Sequence, residues 1–395
     1  MDVTISSNGY YSGKVTLGPT ATSFSGYLES DITLPKEAVA SVSIKRTSPL
    51  PNLNITFTTD PDNHALKVCD VNDGTNHATF TAWRKRWGTT MLPADSDTLK
   101  HYLGYYTLIM ESPVPGVMGS TVPEEFLPQG YSYGSFTVAS TGALTVTGRL
   151  SDGSTAFTCA TFCGPTGQVL VYKALYSNLG SVLGTLDINE GTPGFVPPYG
   201  DNPLTGTVRW IRPAITTSTN HVYRNGFGPI DLTATGGRYV APVSPALLLG
   251  ATESGGNNAS LSFTSGGLAG TSTDMLGTAI LPDLPSLRIK AGGYVTVPPH
   301  STTIVPDPNP RSTTLGTIPV GTGVFSGKST LVDQNPIATG TNITRTVNYY
   351  GIIYRDGAAM RGKGWFLLAR RPAIAGQTTS TTDQLSGKVT LDKLP

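Results

Sequence analysis

Charge is the first thing this sequence lacks. Only 13% of its 395 residues are Asp, Glu, Lys or Arg, where soluble domains average about 25%. The 27 basic residues nearly cancel the 26 acidic ones, leaving a net charge of +1. That balance argues against a basic surface for nucleic acid and against an acidic solvating chain. No apolar run approaches the roughly 18 residues that cross a bilayer as a helix. The first residues also lack the basic and apolar regions of a signal peptide. Nucleotide-binding glycine patterns in a strand–helix setting are missing, so no cofactor is implied. Cysteine is scarce: Cys69, Cys159 and Cys163 cannot all pair, and none sits in a CxxC zinc pattern. Cys159 and Cys163 could close a short loop before Gly164-Pro165, but three buried thiols is the plainer reading.

What replaces charge is Ser, Thr, Asn and Gly, with 46 Gly and 30 Pro in all. Helical periodicity is nearly absent; one helix candidate free of Gly and Pro, Ala94–Leu103, shows no clean 3.6-residue repeat. Alternation of β-branched or aromatic residues with Ser and Thr recurs instead, as in Ser135–Val138, Leu144–Thr147 and Ala259–Phe263. Asn72-Asp73-Gly74, Ser151-Asp152-Gly153, Thr235-Gly236-Gly237 and Arg355-Asp356-Gly357 read as turns between such runs. The fold class predicted is all-β: two consecutive antiparallel barrels or curled sheets built from hairpins, with very little helix.

An internal repeat sharpens this. Gly9-Tyr10-Tyr11-Ser12-Gly13-Lys14-Val15-Thr16-Leu17 leads through a turn to Phe24-Ser25-Gly26. Gly130-Tyr131-Ser132-Tyr133-Gly134 leads likewise to Gly148-Arg149-Leu150. A third copy opens at Gly323-Val324-Phe325-Ser326-Gly327, and Ser386–Leu391 reproduces Ser12–Leu17 letter for letter. Each copy reads as a strand whose glycine admits a neighbouring backbone or aromatic ring, followed by a returning strand with a second glycine at a bend. The Pro/Gly-rich stretch 191–200 divides the chain into an N-terminal unit, 1–190, with repeat starts near 9 and 104–130, and a C-terminal unit, 201–395. Residues 297–314, with five prolines and His300, read as a long loop.

These residues, together with Gly104-Tyr105-Tyr106, Val171-Tyr172-Lys173, Leu204–Trp210 and Gly362–Leu368, resemble the Gly/Tyr-rich all-β modules of large exported proteins from environmental bacteria. The resemblance implies a surface or adhesive module, outside the cell or at its surface, and brings no catalytic residues. On that view the missing leader makes the chain a processed part of something longer.

Candidate sites follow from residue type. Ser132 completes a formal GxSxG, a nucleophile elbow where a strand precedes and a helix follows; here strand follows, and Tyr11 and Phe325 hold the equivalent place. Trp83-Arg84-Lys85-Arg86-Trp87 is a dense basic-aromatic patch, echoed by Trp210 and Arg212. Aromatic faces stack on sugars, and arginine forks bind carboxylates or phosphates; alternatively the rings point inward and the cations outward. Asp60, Asp62, Asn63, Asp70, Asn72 and Asp73 offer oxygens on two nearby turns, a weak calcium pattern. His64, His77, His101, His221 and His300 have no metal-ligand spacing. The sequence thus points to a non-enzymatic structural, adhesive or glycan-contacting module, with polysaccharide or other surface proteins as partners. Alternatives are an ester or glycoside hydrolase with its site on barrel-mouth loops, and a barrel holding a small apolar ligand.

Overall fold

The computed structural model describes residues 1–17, 20–30, 37–62, 65–113, 126–190, 201–217, 219–252, 255–268, 282–338 and 340–395. It falls into two compact units, Met1–Asp95 with Cys163–Thr166, and Ser96–Phe162 with Gly167–Pro395. The stretch read as a linker, 191–200, lies outside the described residues.

The first unit holds a three-stranded sheet, β1 (Asp2–Ile5), β2 (Tyr10–Leu17) and β3 (Thr20–Tyr27). A five-stranded sheet follows: β4 (Glu29–Ser30), β5 (Ala38–Ile44), β6 (Leu53–Asp60), β7 (Ala65–Asn72) and β8 (His77–Trp83). Every strand in each sheet pairs antiparallel with its sequence neighbour. Tyr11, Val15 and Phe24 from one sheet pack on Ala40, Ile55, Phe57 and Cys69 from the other, with Tyr11 edge-on to Phe57 at 5.3 Å.

A short helix, α1 (Pro93–Lys100), spans the change from the first unit to the second at Asp95–Ser96 and buries Leu99. Pro93 stands in its first turn, where a missing N–H costs nothing. Eight strands follow: β9 (Gly104–Glu111), β10 (Ser132–Val138), β11 (Ala143–Arg149), β12 (Phe157–Phe162), β13 (Gln168–Leu175), β14 (Gly180–Ile188), β15 (Pro203–Arg212) and β16 (Phe227–Arg238). Their order, β12-β11-β10-β9-β16-β15-β14-β13, is an up-and-down meander whose first and last strands pair. The curl leaves β12 beside β13 without a backbone ladder, and there the Tyr172 N–H donates to Cys159 Sγ at 3.3 Å. Alternation does what the sequence promised: Leu204, Val208, Trp210 and Arg212 of β15 are buried, while Thr205, Thr207, Arg209 and Ile211 face out.

Eight more strands repeat the plan: β17 (Ala259–Ser265), β18 (Leu284–Ile289), β19 (Val295–Thr296), β20 (Thr314–Leu315), β21 (Val324–Gln334), β22 (Asn342–Asp356), β23 (Ala359–Ala369) and β24 (Gln384–Lys393). Again the first strand pairs with the last, and among the described residues the ladder is interrupted only between β19 and β20. Ile318 N–H bonds Gly293 O at 2.9 Å near that interruption. Phe263 packs on Tyr349 and Phe366 at 5.1 and 5.7 Å in the interior. Residues 297–313 between β19 and β20 carry no helix or strand.

Two consecutive curled antiparallel barrels are therefore present, but their limits differ from the sequence reading. β14 and β15, on either side of 191–200, pair over eight positions from Ser181↔Ile211 to Ile188↔Leu204. One barrel thus draws strands from both sides of that stretch, and the first 95 residues stand as a separate unit. Thr235-Gly236-Gly237 is also no turn. It lies within β16, where a Cβ on Gly236 would stand 2.2 Å from Thr107 O on β9. Gly236 permits the close approach of β9 that closes the barrel.

The repeat glycines act as the sequence implied. Gly13, Gly327 and Gly387 each pair directly with an aromatic residue, Phe24, Tyr349 and Phe366. In each case a ring carbon lies too close for a Cβ, at 2.6, 2.5 and 2.1 Å from where one would stand. Gly134 departs from this, since its partner is Gly148. The motif falls on β2, β10, β21 and β24, so it marks a local packing device rather than the start of a module. At Gly351 a Cβ would stand 2.2 Å from the Phe325 ring and 2.7 Å from Lys363 O. Gly351→Ala should therefore lower stability by about 1–3 kcal/mol through overpacking, read as a shift in the denaturant midpoint at unchanged far-UV circular dichroism. A neutral result would mean that the ring is free to move aside.

Candidate functional site

The basic-aromatic patch is divided between surface and interior. Arg84 and Lys85 are exposed and Trp83 is half-buried. Trp87 is 2% exposed, and its indole N–H donates to Cys163 O at 2.7 Å. Arg86 bonds Asp95 (Nε to Oδ1, 2.7 Å) and lies 5.4 Å above the Trp87 ring. Trp87 is thus a core residue of the first unit, its indole N–H satisfied internally, as buried tryptophans require.

Trp210 and Arg212 belong to the interior of the β9–β16 barrel. Trp210 is fully buried, edge-on to Phe227 at 4.6 Å, and donates its indole N–H to Tyr176 Oη at 3.0 Å. The Tyr176 hydroxyl donates onward to Asp152 Oδ2 at 2.7 Å. Arg212 Nη1 pairs with the same carboxylate oxygen, and Nη2 donates to Val222 O at 2.8 Å. Burial, reinforced by the Asp152 carboxylate, holds the Tyr176 phenol well above its ordinary range, so it stays a neutral donor. These groups are spent on one another, and neither ring face is available for stacking a ligand from solvent.

Ser132 is buried at the start of β10. Its Oγ accepts the Ser151 N–H at 2.9 Å and donates to Ser151 Oγ at 3.2 Å. The rest of the GxSxG string serves packing between the two barrels of the second unit. A Cβ on Gly130 would stand 2.3 Å from Trp365 Cβ, Tyr131 N–H bonds Gly364 O at 3.1 Å, and Tyr133 clusters with Ile109, Ile352, Tyr354 and Trp365.

The calcium candidates are committed to local structure. Asp73 bonds Arg46 Nη2 at 2.9 Å and accepts the Thr75 and Asn76 N–H groups. The Asn76 amide, Arg46 and the Thr75 amide, in that order, hold its carboxyl well below the usual range. Asn72 Oδ1 accepts Gly74 N–H at 2.6 Å, and Asp70 pairs with His77. This is the hairpin turn that Asn-Asp-Gly predicts. Asn63 and His64 lie outside the described residues. His300 pairs with Asp307 at 2.5 Å, while His101 and His221 enter the hydrogen-bond network through their carbonyls. Among the described residues, no three His, Cys, Asp or Glu side chains gather to hold a metal, and no helix is long and apolar enough to cross a membrane. All three cysteines are unbridged and buried. Burial pushes the Cys69 thiol up to about 11 and Cys163 to about 12, which keeps both protonated at neutral pH.

The face best suited to a ligand is one the sequence reading passed over. On the outer side of β1-β2-β3, Tyr10 stands opposite Tyr27, Ser12 lies between Thr4 and Ser25, and Lys14 lies between Asp2 and Ser23. Tyr10 and Tyr27 are 38% and 66% exposed and meet edge-on at 5.3 Å. A hollow of about 540 Å³ opens over the hydroxyl and charged rows. The aromatic row is held from behind: Tyr10 N–H bonds Asn8 Oδ1 at 3.1 Å, its carbonyl accepts Ser6 N–H at 2.9 Å, and Leu28 N–H bonds Gly9 O at 2.9 Å. A signal for it existed. Tyr10 and Tyr11 are adjacent on a strand and so point to opposite faces; the antiparallel register of β2 on β3 sets Tyr10 against Tyr27. Comparison with family models, with curated proteins and with solved structures yields no match.

Proposed function

We propose that this chain is a non-enzymatic structural or adhesive module of an exported or cell-surface protein, and that it contacts carbohydrate through the outer face of β1-β2-β3. The observation that carries the reading is the exposed Tyr10–Tyr27 pair beside a row of hydroxyls. Sugar rings present C–H faces that pack on aromatic rings and hydroxyls that exchange bonds with Ser and Thr, while Asp2 and Lys14 add one acceptor and one donor. A sheet face supplies these groups in fixed positions, so little ordering cost is met on binding. The low charge of the whole chain suits a neutral polysaccharide better than a polyanion.

A polysaccharide and glycan array followed by titration of the best binder tests this. Tyr27→Ala is expected to weaken binding at least tenfold, about 1.4 kcal/mol, without altering the melting transition, because Tyr27 is mostly exposed. Failure of any glycan to bind, or affinity indifferent to Tyr27→Ala, would remove the proposal.

A further inference from the structure

We propose that β8 is a self-pairing edge through which two copies of this chain join antiparallel, giving one continuous sheet across a two-fold axis. Both barrels of the second unit close by pairing their first and last strands, β9 with β16 and β17 with β24. The first unit follows the same strand-to-neighbour plan, yet β8 ends its sheet order with β7 as its one ladder partner among the described residues. Residues 77–81 are all exposed, including Phe80 at 40%. Natural edges are usually blunted by Lys, Pro or a bulge; His77-Ala78-Thr79-Phe80-Thr81-Ala82-Trp83 carries neither of those residues and no Asp, Glu or Arg, and the one register shift in its ladder, between Leu66 and Cys69, puts the extra residue on β7 rather than on β8.

The second copy is the occupant that the sequence itself specifies. Ala78-Thr79-Phe80-Thr81-Ala82 reads the same in both directions. Antiparallel pairing centred on Phe80 therefore sets Phe80 against Phe80, Thr79 against Thr81 and Ala78 against Ala82. Aromatic–aromatic and Thr–Thr pairs are favourable across strands. Arg84 of one copy then falls opposite Asn76 of the other, and Lys85 opposite Thr75, so no like charges meet. Phe80 pairs with the buried Cys69 of β7 and shares its face; a second Phe80 would cover the uncovered end of that core. Such a contact is isologous and closes at two copies.

The test uses the whole chain. Sedimentation velocity across a wide concentration range should show a reversible shift from one to two chain masses, and Phe80→Lys should abolish it. Directly opposed antiparallel residues have Cα atoms about 4.5–5.5 Å apart, within the span of a disulfide. Under mild oxidation, Phe80→Cys should therefore cross-link to itself. Thr79→Cys alone should not, but should cross-link when mixed with Thr81→Cys. These exposed positions tolerate substitution, so the cysteine pattern remains readable even if Phe80→Lys misfolds. A single chain mass at every concentration, a ladder of larger species, or efficient cross-linking of Thr79→Cys to itself would each overturn the proposal.

Discussion

Replacing Trp210 by Ala should cost about 3–5 kcal/mol of stability and leave any sugar binding by the β1-β2-β3 face unchanged. The ring is fully buried, meets Phe227 edge-on and donates to Tyr176, which in turn donates to Asp152. Removing it opens a cavity inside the barrel and takes one partner from Tyr176. The hydroxyl can still donate to Asp152, so most of the loss comes from packing rather than from the hydrogen bond. Trp210→Phe keeps much of the ring volume and should cost markedly less. Unfolding followed by far-UV circular dichroism measures both, because the fluorescence of the deleted residue is lost with it. A stable Trp210→Ala protein that had lost a ligand would restore this ring as a binding platform.

Asp333→Ala should be as damaging, at about 3–5 kcal/mol, although it removes only a small side chain. Asp333 Oδ2 accepts Arg345 Nε at 2.6 Å with both side chains almost wholly out of solvent. Arg345 Nη1 also donates to Ala369 O at 2.7 Å. Deleting the carboxylate leaves a guanidinium buried with its charge uncompensated, and arginine cannot relieve this by losing a proton. The double variant Asp333→Leu with Arg345→Met should recover most of the loss, since an apolar pair avoids the desolvation of two charges. Melting temperatures of the two single variants and the double variant decide the matter. If Asp333→Ala is mild, or the double variant is no better than the single, the buried charge is not the source of the cost.

Trp210 and Arg212 show where sequence reading succeeds and where it stops. Trp210 and Arg212 alternate with Arg209 and Ile211 on β15, and this period marks a strand with one face buried. The period cannot say which face turns inward, so a basic-aromatic string looks like a surface patch until a partner for Arg212 is seen. That partner is Asp152, sixty positions away on a turn that was legible only as a turn. Glycines were read well at Gly13, Gly327 and Gly387, because a ring over a glycine is a pairwise, local event. They misled at Gly236, where the demand comes from Thr107 and Leu108 of β9 and is invisible nearby in sequence. The division at 191–200 failed for the same reason: Pro and Gly announce a connection, but only pairing between β14 and β15 tells whether that connection lies inside a barrel.

The pairing of first strand with last also determines where the polypeptide arrives and departs. Tyr239, just after β16, bonds Tyr105 at the start of β9 through its N–H at 2.8 Å. Import and export of the backbone thus happen side by side, like the two ends of a clasp. A cassette wired in this manner can be spliced into a longer polypeptide, duplicated or excised while its internal connections keep their order. Growth of a tandem array then needs no rewiring of what is already built, only another loop of thread through the same gate.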